Sequence, residues 1–177
     1  ALLHAEGEGV AVEESPLLRH RGRFLRLKPF LGSATAAGDT GLAGGVLRYL
    51  ERHRERGMAF LFSDFLAPVE EYRRALQRLR ERRLEVHAIH VSGDQERTVA
   101  RLRGRLLLRD AESGAVRAVS LGESDRRRYV QAFERRVSEI RDFCHRSDIG
   151  YALVTAEAGL ERCLTIILPT AGMLHLR

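Results

Sequence analysis

The stretch that most constrains the fold is residues 57–65, GMAFLFSDF, because a short apolar run closed by a polar pair is typical of a buried β-strand. Asp64 is the second residue of that polar pair, and Pro68 with the two acids that follow Val69 predicts a helix close behind. In an open parallel sheet, ligands bind in the crevice beyond the carboxyl ends of the strands. Asp64 is therefore a candidate ligand-binding residue, and capping of the following helix is the alternative.

Strand and helix patterns alternate along most of the chain. The first half of the chain predicts a hairpin of residues 1–6 and 10–14, a short helix within 17–31 that ends at Pro29 or shortly after, a helix over 42–56, the strand before Asp64, a helix over 69–79 and a strand over 84–91. The second half predicts a hairpin of 105–109 and 116–121, a long helix capped by Ser124 and a strand over 149–155. A final helix has an apolar stripe of Leu160, Leu164 and Ile167 and ends near Pro169. This alternation predicts an α/β fold with a doubly wound, mostly parallel sheet.

The length of 177 residues predicts a single domain with enough chain to bury a core. The hydrophobic fraction of 44% and the charged fraction of 31% are typical of a soluble globular protein. No apolar run approaches the roughly 18 residues that a membrane-spanning helix needs. The start, ALLHAE, lacks the features of a secretory signal, so we expect a cytoplasmic protein whose given sequence begins inside a strand.

The net charge of +6 and the sequence pI of about 10.1 raise the possibility of a basic nucleic-acid-binding domain. The positive charge is nearly all arginine, since Lys28 is the only lysine. Acidic residues are interspersed with these arginines at helical spacing, for example in residues 70–74 and 81–83. Such mixed faces are usually solvated helix surfaces, so we expect weak, sequence-independent binding to nucleic acid.

The cysteines and histidines do not form a metal-binding pattern. Cys144 and Cys163 are far apart and lie in apolar contexts, which predicts two core thiols. His87 and His90 fall on opposite faces of their predicted strand, so they cannot jointly hold a metal ion and are interpreted as packed or surface residues. No catalytic serine elbow or phosphate-binding loop is present, so the sequence does not predict an enzyme.

A loop of small residues, GSATAAGDTG at 32–41, leads into the helix that starts near Leu42. Its glycines superficially suggest a dinucleotide-binding turn, but no predicted strand immediately precedes them. Thr40, at the end of this loop, is a hydroxyl that could cap the helix or face a bound ion.

These segments together resemble a known family. The Gly-Asp-Thr of residues 38–40 before a helix, and Phe-Ser-Asp-Phe at 62–65 ending the next strand, resemble the latter half of a von Willebrand factor A-like domain. More narrowly, the chain is similar to a bacterial domain of unknown function, number fifty-eight, often found beside MoxR-type AAA+ ATPases. The segments GDQE at 93–96, LLRDAESG at 107–114, Tyr129 and IGYALVT at 149–155 match in order and spacing.

The resemblance implies a metal-ion-dependent adhesion site, in which an Asp-x-Ser-x-Ser loop, a threonine and an aspartate surround Mg²⁺. Thr40 and Asp64 match the last two elements. The Asp-x-Ser-x-Ser loop, which in the family follows a central first strand, is absent from this sequence, and the hairpin after residue 104 is an insertion. We therefore expect Mg²⁺ in the complete domain and no cofactor in this fragment.

Two functions of different classes follow. The first is a metal-dependent protein-interaction module whose partner offers an acidic residue, with a MoxR-type AAA+ ATPase as the candidate partner in assembly or maturation of other proteins. The second is the nucleic-acid-binding domain. The first predicts that Thr40 and Asp64 lie close together at the carboxyl edge of the sheet.

Overall fold

The computed structural model describes residues 1–6, 9–15, 25, 27–33, 41–93, 104–109 and 114–173. The chain packs as two compact units: residues 1–56 with 67–82, and residues 57–66 with 83–177. This division reflects how densely residues contact one another and does not test the prediction of a single domain over residues 1–177, which stays a prediction.

The described residues of the first unit form two strands and three helices. Strands β1 (Leu2–Glu6) and β2 (Gly9–Glu13) pair antiparallel with Leu2 opposite Glu13, which confirms the predicted N-terminal hairpin. The helices are α1 (Leu27–Gly32), α2 (Leu42–Arg52) and α3 (Val69–Glu81). Pro29 lies in the first turn of α1, and the helix ends three residues later at Gly32, which agrees with the prediction that it ends at Pro29 or shortly after. A first-turn residue needs no intrahelical N–H bond, and proline is tolerated there.

Helices α2 and α3 pack against each other and supply the core of this unit. The buried residues recur at helical spacing and are Leu42, Val46 and Leu50 on α2 and Tyr72, Ala75, Leu76 and Leu79 on α3. The Glu71 carboxylate accepts the backbone N–H of Ala43 at 3.1 Å, so a side chain of α3 satisfies a free amide at the start of α2.

Glu14 joins the end of the N-terminal hairpin to the end of α2. Its carboxylate lies 2.7 Å from His53 Nε2 and accepts a hydrogen bond of 3.3 Å from Arg52. The hydrogen bond with His53, with the charges of His53 and Arg52, lowers the pKa of Glu14. His53 also stacks on Tyr49 with 4.4 Å between ring centroids, which fixes the imidazole beside the carboxylate.

The second unit is built on a parallel sheet of three strands in the order β3 (Met58–Ser63), β4 (Glu85–Ser92) and β7 (Gly150–Thr155). Phe62, Ile89 and Ala152 stand side by side across it, so the carboxyl ends of the strands share one edge. The strand predictions at residues 57–65, 84–91 and 149–155 are confirmed. The chain is thus a mixed α/β structure with a small parallel sheet.

A separate antiparallel ribbon consists of β5 (Gly104–Arg109) and β6 (Val116–Leu121), as the hairpin prediction required. The acidic turn expected at residues 110–113 lies outside the described residues.

Helix α4 (Glu123–Arg146) follows the ribbon and starts two residues earlier than a Ser124 cap would place it. Gly122 is the cap residue, and its N–H donates to the Asp125 carboxylate at 3.1 Å. The Ser124 prediction is therefore wrong, because Asp125 already supplies the side-chain partner for this helix start. The carboxyl end of α4 buries Ile140, Phe143 and Cys144.

The last segment is α5 (Leu160–Arg162), a π-helical turn (Cys163–Ile167) and α6 (Leu168–Thr170), which ends one residue after Pro169. Leu160 and Leu164 are exposed, so the predicted stripe is wrong in two of its three residues. The wider π turn changes which side chains face inward. Cys163, Ile167 and Leu168 pack against a cluster of Ile89, Ala152, Val154 and Met173.

Both cysteines are free thiols, and the core position predicted for Cys144 is confirmed. Burial raises the pKa of the Cys144 thiol to about 12. Among the described helices, none has the length and hydropathy to span a bilayer.

Candidate functional site

The site centres on the turn that follows β3, where Asp64 lies exposed at the carboxyl end of the strand. The turn is stabilised by two consecutive side chains. Ser63 Oγ accepts the N–H of Phe65 at 3.0 Å, and Asp64 Oδ1 accepts the N–H of Leu66 at 3.0 Å. Serine and aspartate commonly bond to the backbone two residues ahead in this way. Asp64 is thus a turn-forming residue, and helix α3 instead has Pro68 as its cap, so the capping alternative is wrong.

Phe65 adopts a left-handed backbone conformation with a φ of 52°. For a bulky residue this conformation costs on the order of 1–3 kcal/mol, and it persists only where packing enforces it. The Phe65 side chain is fully buried, and its ring meets the ring of His90 edge-on at a centroid distance of 5.4 Å. Burial of the ring therefore holds the strained backbone that presents Asp64.

His90 is the buried partner beneath this turn. It lies on β4 opposite Ser63, and a hydrogen bond of 2.9 Å joins its Nδ1 to the hydroxyl of Tyr151 on β7. A second hydrogen bond runs from the imidazole to the backbone of Asp64. A neutral imidazole has one donor and one acceptor nitrogen, so His90 can satisfy both contacts.

The electrostatics agree with a neutral imidazole. Burial lowers the pKa of His90, the charge and backbone of Asp64 partly oppose that shift, and Arg136 adds to it. Burial also raises the pKa of the Tyr151 hydroxyl, which therefore stays protonated and available as a donor. His87, three residues earlier, stacks on Phe60 of β3 at 4.9 Å, and Gly150 lies close to its ring. Both histidines are packed residues, as predicted, and they do not meet.

Ser92 closes β4 as Ser63 closes β3, and it is completely buried. Its hydroxyl has no hydrogen-bond partner among the residues that the structure describes. Buried hydroxyls are usually bonded, so this group is an additional polar feature of the strand end. The sequence signal that could have identified it is the same one that identified Asp64: a polar residue closing an apolar strand.

Thr40, the second predicted site residue, lies outside the described residues. The structure therefore does not report a Thr40 to Asp64 distance, and their proximity stays a prediction. The His90 and Tyr151 pair was not identified from the sequence as part of the site. The two residues are 61 positions apart, and only the register of β3, β4 and β7 brings them beneath Asp64.

The described donors do not form a complete magnesium site. No cluster of three or more His, Cys, Asp or Glu side chains suited to a metal ion occurs in the described part of the chain. Asp64 supplies one carboxylate, and its Oδ1 already accepts a hydrogen bond. Mg²⁺ requires octahedral coordination by about six oxygens and gives up water reluctantly. Asp64 can therefore contribute to a magnesium site only together with oxygen ligands from other residues.

Comparison with known proteins identifies relatives of this chain. The uncharacterized proteins Rv1480 and MT1527 of Mycobacterium tuberculosis and Mb1516 of Mycobacterium bovis are each 35% identical to it over 116 residues. The alignment covers 64% of this chain and 35% of each relative, so the chain matches about a third of the length of these proteins. No solved structure matches it significantly. The family model described as "Protein of unknown function DUF58" matches residues 19–139, most of the chain, and the chain therefore belongs to this family.

Proposed function

We propose that this chain is part of a protein-interaction module that presents Asp64 to a partner at the carboxyl edge of its parallel sheet. The observation that carries the proposal is the exposed Asp64 carboxylate on a turn that is strained at Phe65 and braced by buried His90. Strained backbone conformations persist at functional sites because they preorganise a group for binding.

The surroundings of Asp64 fit an interface with a partner. Phe62 is 68% exposed and Leu66 is 61% exposed, so large apolar side chains lie on either side of the acid in the chain. Protein interfaces commonly combine such apolar groups with a small number of fixed polar groups. The Asp64 carboxylate is fixed by the N–H of Leu66, which leaves its second oxygen for a ligand.

We further propose that the sheet belongs to a doubly wound, von Willebrand factor A-like fold, with a Mg²⁺ site to which Thr40 and Asp64 contribute. The parallel order β3-β4-β7, with Asp64 at the carboxyl end of β3, supports this topology. The remaining ligands would come from sequence beyond these 177 residues, and an acidic group of the partner would complete the site. A MoxR-type AAA+ ATPase is the partner that the family resemblance suggests, and this role involves no catalysis by the chain itself.

Several described arginines form ion pairs with carboxylates, and these arginines do not support the alternative of nucleic-acid binding. Arg52 pairs with Glu14, Arg78 with Glu81 and Arg128 with Asp125. Arginines bonded to carboxylates in this way are less available for phosphates.

Calorimetric Mg²⁺ titration tests the site. The 177-residue chain should bind Mg²⁺ weakly, and a longer form that restores a preceding Asp-x-Ser-x-Ser strand and loop should bind it much more tightly, because the added oxygens replace water. In the longer form Asp64→Ala should abolish the gain. Asp142→Ala, which removes an exposed carboxylate on α4, is the matched control and should retain it. Equal affinity in both forms, or a longer form indifferent to Asp64→Ala, contradicts the metal proposal.

A binding assay tests the interaction itself. The longer form, immobilised, should retain a purified MoxR-type ATPase from the same organism in Mg²⁺, and chelation or Asp64→Ala should release it. Retention that is unaffected by both treatments would show that the Asp64 turn is not the contact surface.

A further inference from the structure

The ribbon of β5 and β6 has two different faces. In an antiparallel pair, residues opposite each other share a face. One face is partly covered and carries Leu106, Val119 and Leu121. The other, called here the open face, is formed by the pairs Arg105 with Ser120, Leu107 with Ala118 and Arg109 with Val116, and all six residues are exposed.

The open face is apolar at its centre. Leu107 is 75% exposed and Val116 is 59% exposed, with Ala118 beside Leu107. Exposed large apolar side chains that occur singly need no explanation, but adjacent ones framed by polar residues mark interaction surfaces. The open face therefore has the composition of an interface core.

The charge of the ribbon strands is entirely positive. Arg105 and Arg109 lie at the two ends of the open face, Arg117 lies on the other face, and neither strand contains an acid. None of these three arginines forms an ion pair with a carboxylate of the described residues. The acids of the hairpin, Asp110 and Glu112, are confined to the tip, which lies outside the described residues. A partner that complements the open face is consequently acidic as well as apolar.

The outer edges of the ribbon carry backbone N–H and C=O groups that are not bonded to another strand among the described residues. Among the described residues, β5 pairs only with β6, so each strand has one edge without a neighbouring strand. Such edges are templates for a further strand, and an isolated two-stranded ribbon is only marginally stable in water. Insertion into lipid would leave these N–H and C=O groups without partners, whereas an added strand bonds to them. This difference favours an extended peptide over a membrane surface.

We propose that the ribbon of β5 and β6 is a docking surface for an extended acidic and apolar segment of a partner protein, which adds to the ribbon as a third strand. Every second residue of that segment lies on the open face, so along the free edge of β5 an acid, an apolar residue and a second acid lie beside Arg105, Leu107 and Arg109. The proposal does not depend on the function assigned to the Asp64 turn.

A synthetic peptide tests the proposal with the 177-residue chain. The probe is a fluorescent peptide of about eight residues, the usual strand length, in which alternate positions read glutamate, valine and glutamate and the positions between them are threonine. It should raise its anisotropy on titration with the chain and should bind less tightly as salt increases. A peptide with lysine in place of glutamate should not bind. Hydrogen exchange should show new protection of amides along one outer edge of the ribbon.

Matched variants locate the surface. Arg105→Glu with Arg109→Glu should weaken binding at least roughly tenfold, because repulsion replaces attraction at both ends of the open face. Leu107→Ser should weaken binding several-fold, while Leu160→Ser is the control, since Leu160 is exposed to the same extent at 74%. All these side chains are exposed, so the variants should fold, which circular dichroism verifies.

Three results would overturn the proposal. The first is the absence of binding by the valine-glutamate peptide, and the second is equal binding by the lysine peptide. The third is equal weakening by Leu107→Ser and Leu160→Ser. Binding of the chain to phosphatidylserine vesicles without binding of the peptide would assign the ribbon to a membrane surface and would also overturn it.

Discussion

Strands β4 and β5 belong to the same compact unit but serve different purposes. Strand β4 pairs on both edges with parallel neighbours, and residues 86–90 are all buried, including two histidines. Within the described part of the chain, strand β5 pairs on one edge only, and Leu107 at the centre of its apolar run is 75% exposed. Two apolar stretches with similar β propensity thus differ in environment. The buried stretch supports the Asp64 turn through His90, whereas the exposed stretch is itself available for contact.

The largest difference between the two strands should appear when one aliphatic side chain is truncated in each. Ile89→Ala on β4 should lower the free energy of unfolding by about 2–5 kcal/mol, because it removes packing against Ala152, Val154 and Met173. Leu107→Ala on β5 should change it by no more than about 0.5 kcal/mol. Urea denaturation of both variants measures the difference. Similar losses at the two positions would mean that the ribbon is packed like the sheet.

Substitution of two glycines, one in the parallel sheet and one in the ribbon, should give smaller losses of stability that differ in their physical cause. A side chain at Gly150 of β7 would collide with the imidazole of buried His87 and lie 3.3 Å from Met173 Cε, so Gly150→Ala should cost about 1–3 kcal/mol through overpacking. At Gly104 of β5 no described atom lies within 4 Å of an added Cβ, and the φ of +88° is a conformation that disfavours a side chain. Gly104→Ala should cost about 1–2 kcal/mol through backbone strain alone.

Thermal unfolding of second-site variants separates the two causes. His87→Ala should relieve part of the Gly150→Ala penalty, because the colliding ring is removed. No truncation near Gly104 should relieve the Gly104→Ala penalty. Additive penalties for the pair at positions 87 and 150 would contradict the steric explanation.

The smallest effect is a pH dependence that arises from β4. The pKa of His90 is lowered from its ordinary value of 6.5, chiefly by burial. As pH falls below that ordinary value, the unfolded chain binds a proton that folded His90 resists, so the free energy of unfolding decreases. His90→Gln should flatten the decrease between about pH 7.5 and 5.5. His145→Gln, at an exposed position on α4, is the control, and identical pH profiles for wild type and His90→Gln would refute the assignment.

The sequence predicted the three parallel strands because each is an apolar run bounded by polar or turn-forming residues. It predicted Asp64 as a site residue for the same reason. Sequence patterns did not predict features that depend on an irregular helical turn, on strand register or on contacts between distant residues. A helical stripe assumes a constant turn, and the π-helical turn at Cys163–Ile167 exposed Leu160 and Leu164. The pairing of His90 with Tyr151 depends on strand register, and the left-handed Phe65 carries no propensity signal at all.

The roles of Asp64 and Thr40 as site residues both stay predictions. Thr40 lies outside the described residues, and its place beside Asp64 depends on the family resemblance. The sequence alone could suggest a hydroxyl near the start of α2, since glycine and threonine commonly precede helices. It could not predict the distance between two loops that belong to different structural elements.

The left-handed conformation of Phe65 has a consequence for how this corner can evolve. A glycine at position 65 would adopt that conformation without strain but would delete the ring that contacts His90, and an asparagine would bury an amide in its place. Either single change relieves the backbone strain at position 65 but loses the packing of the Phe65 ring against His90. Substitution at position 65 should therefore be accepted only when position 90 changes as well, and an alignment of the family should show the two positions varying together.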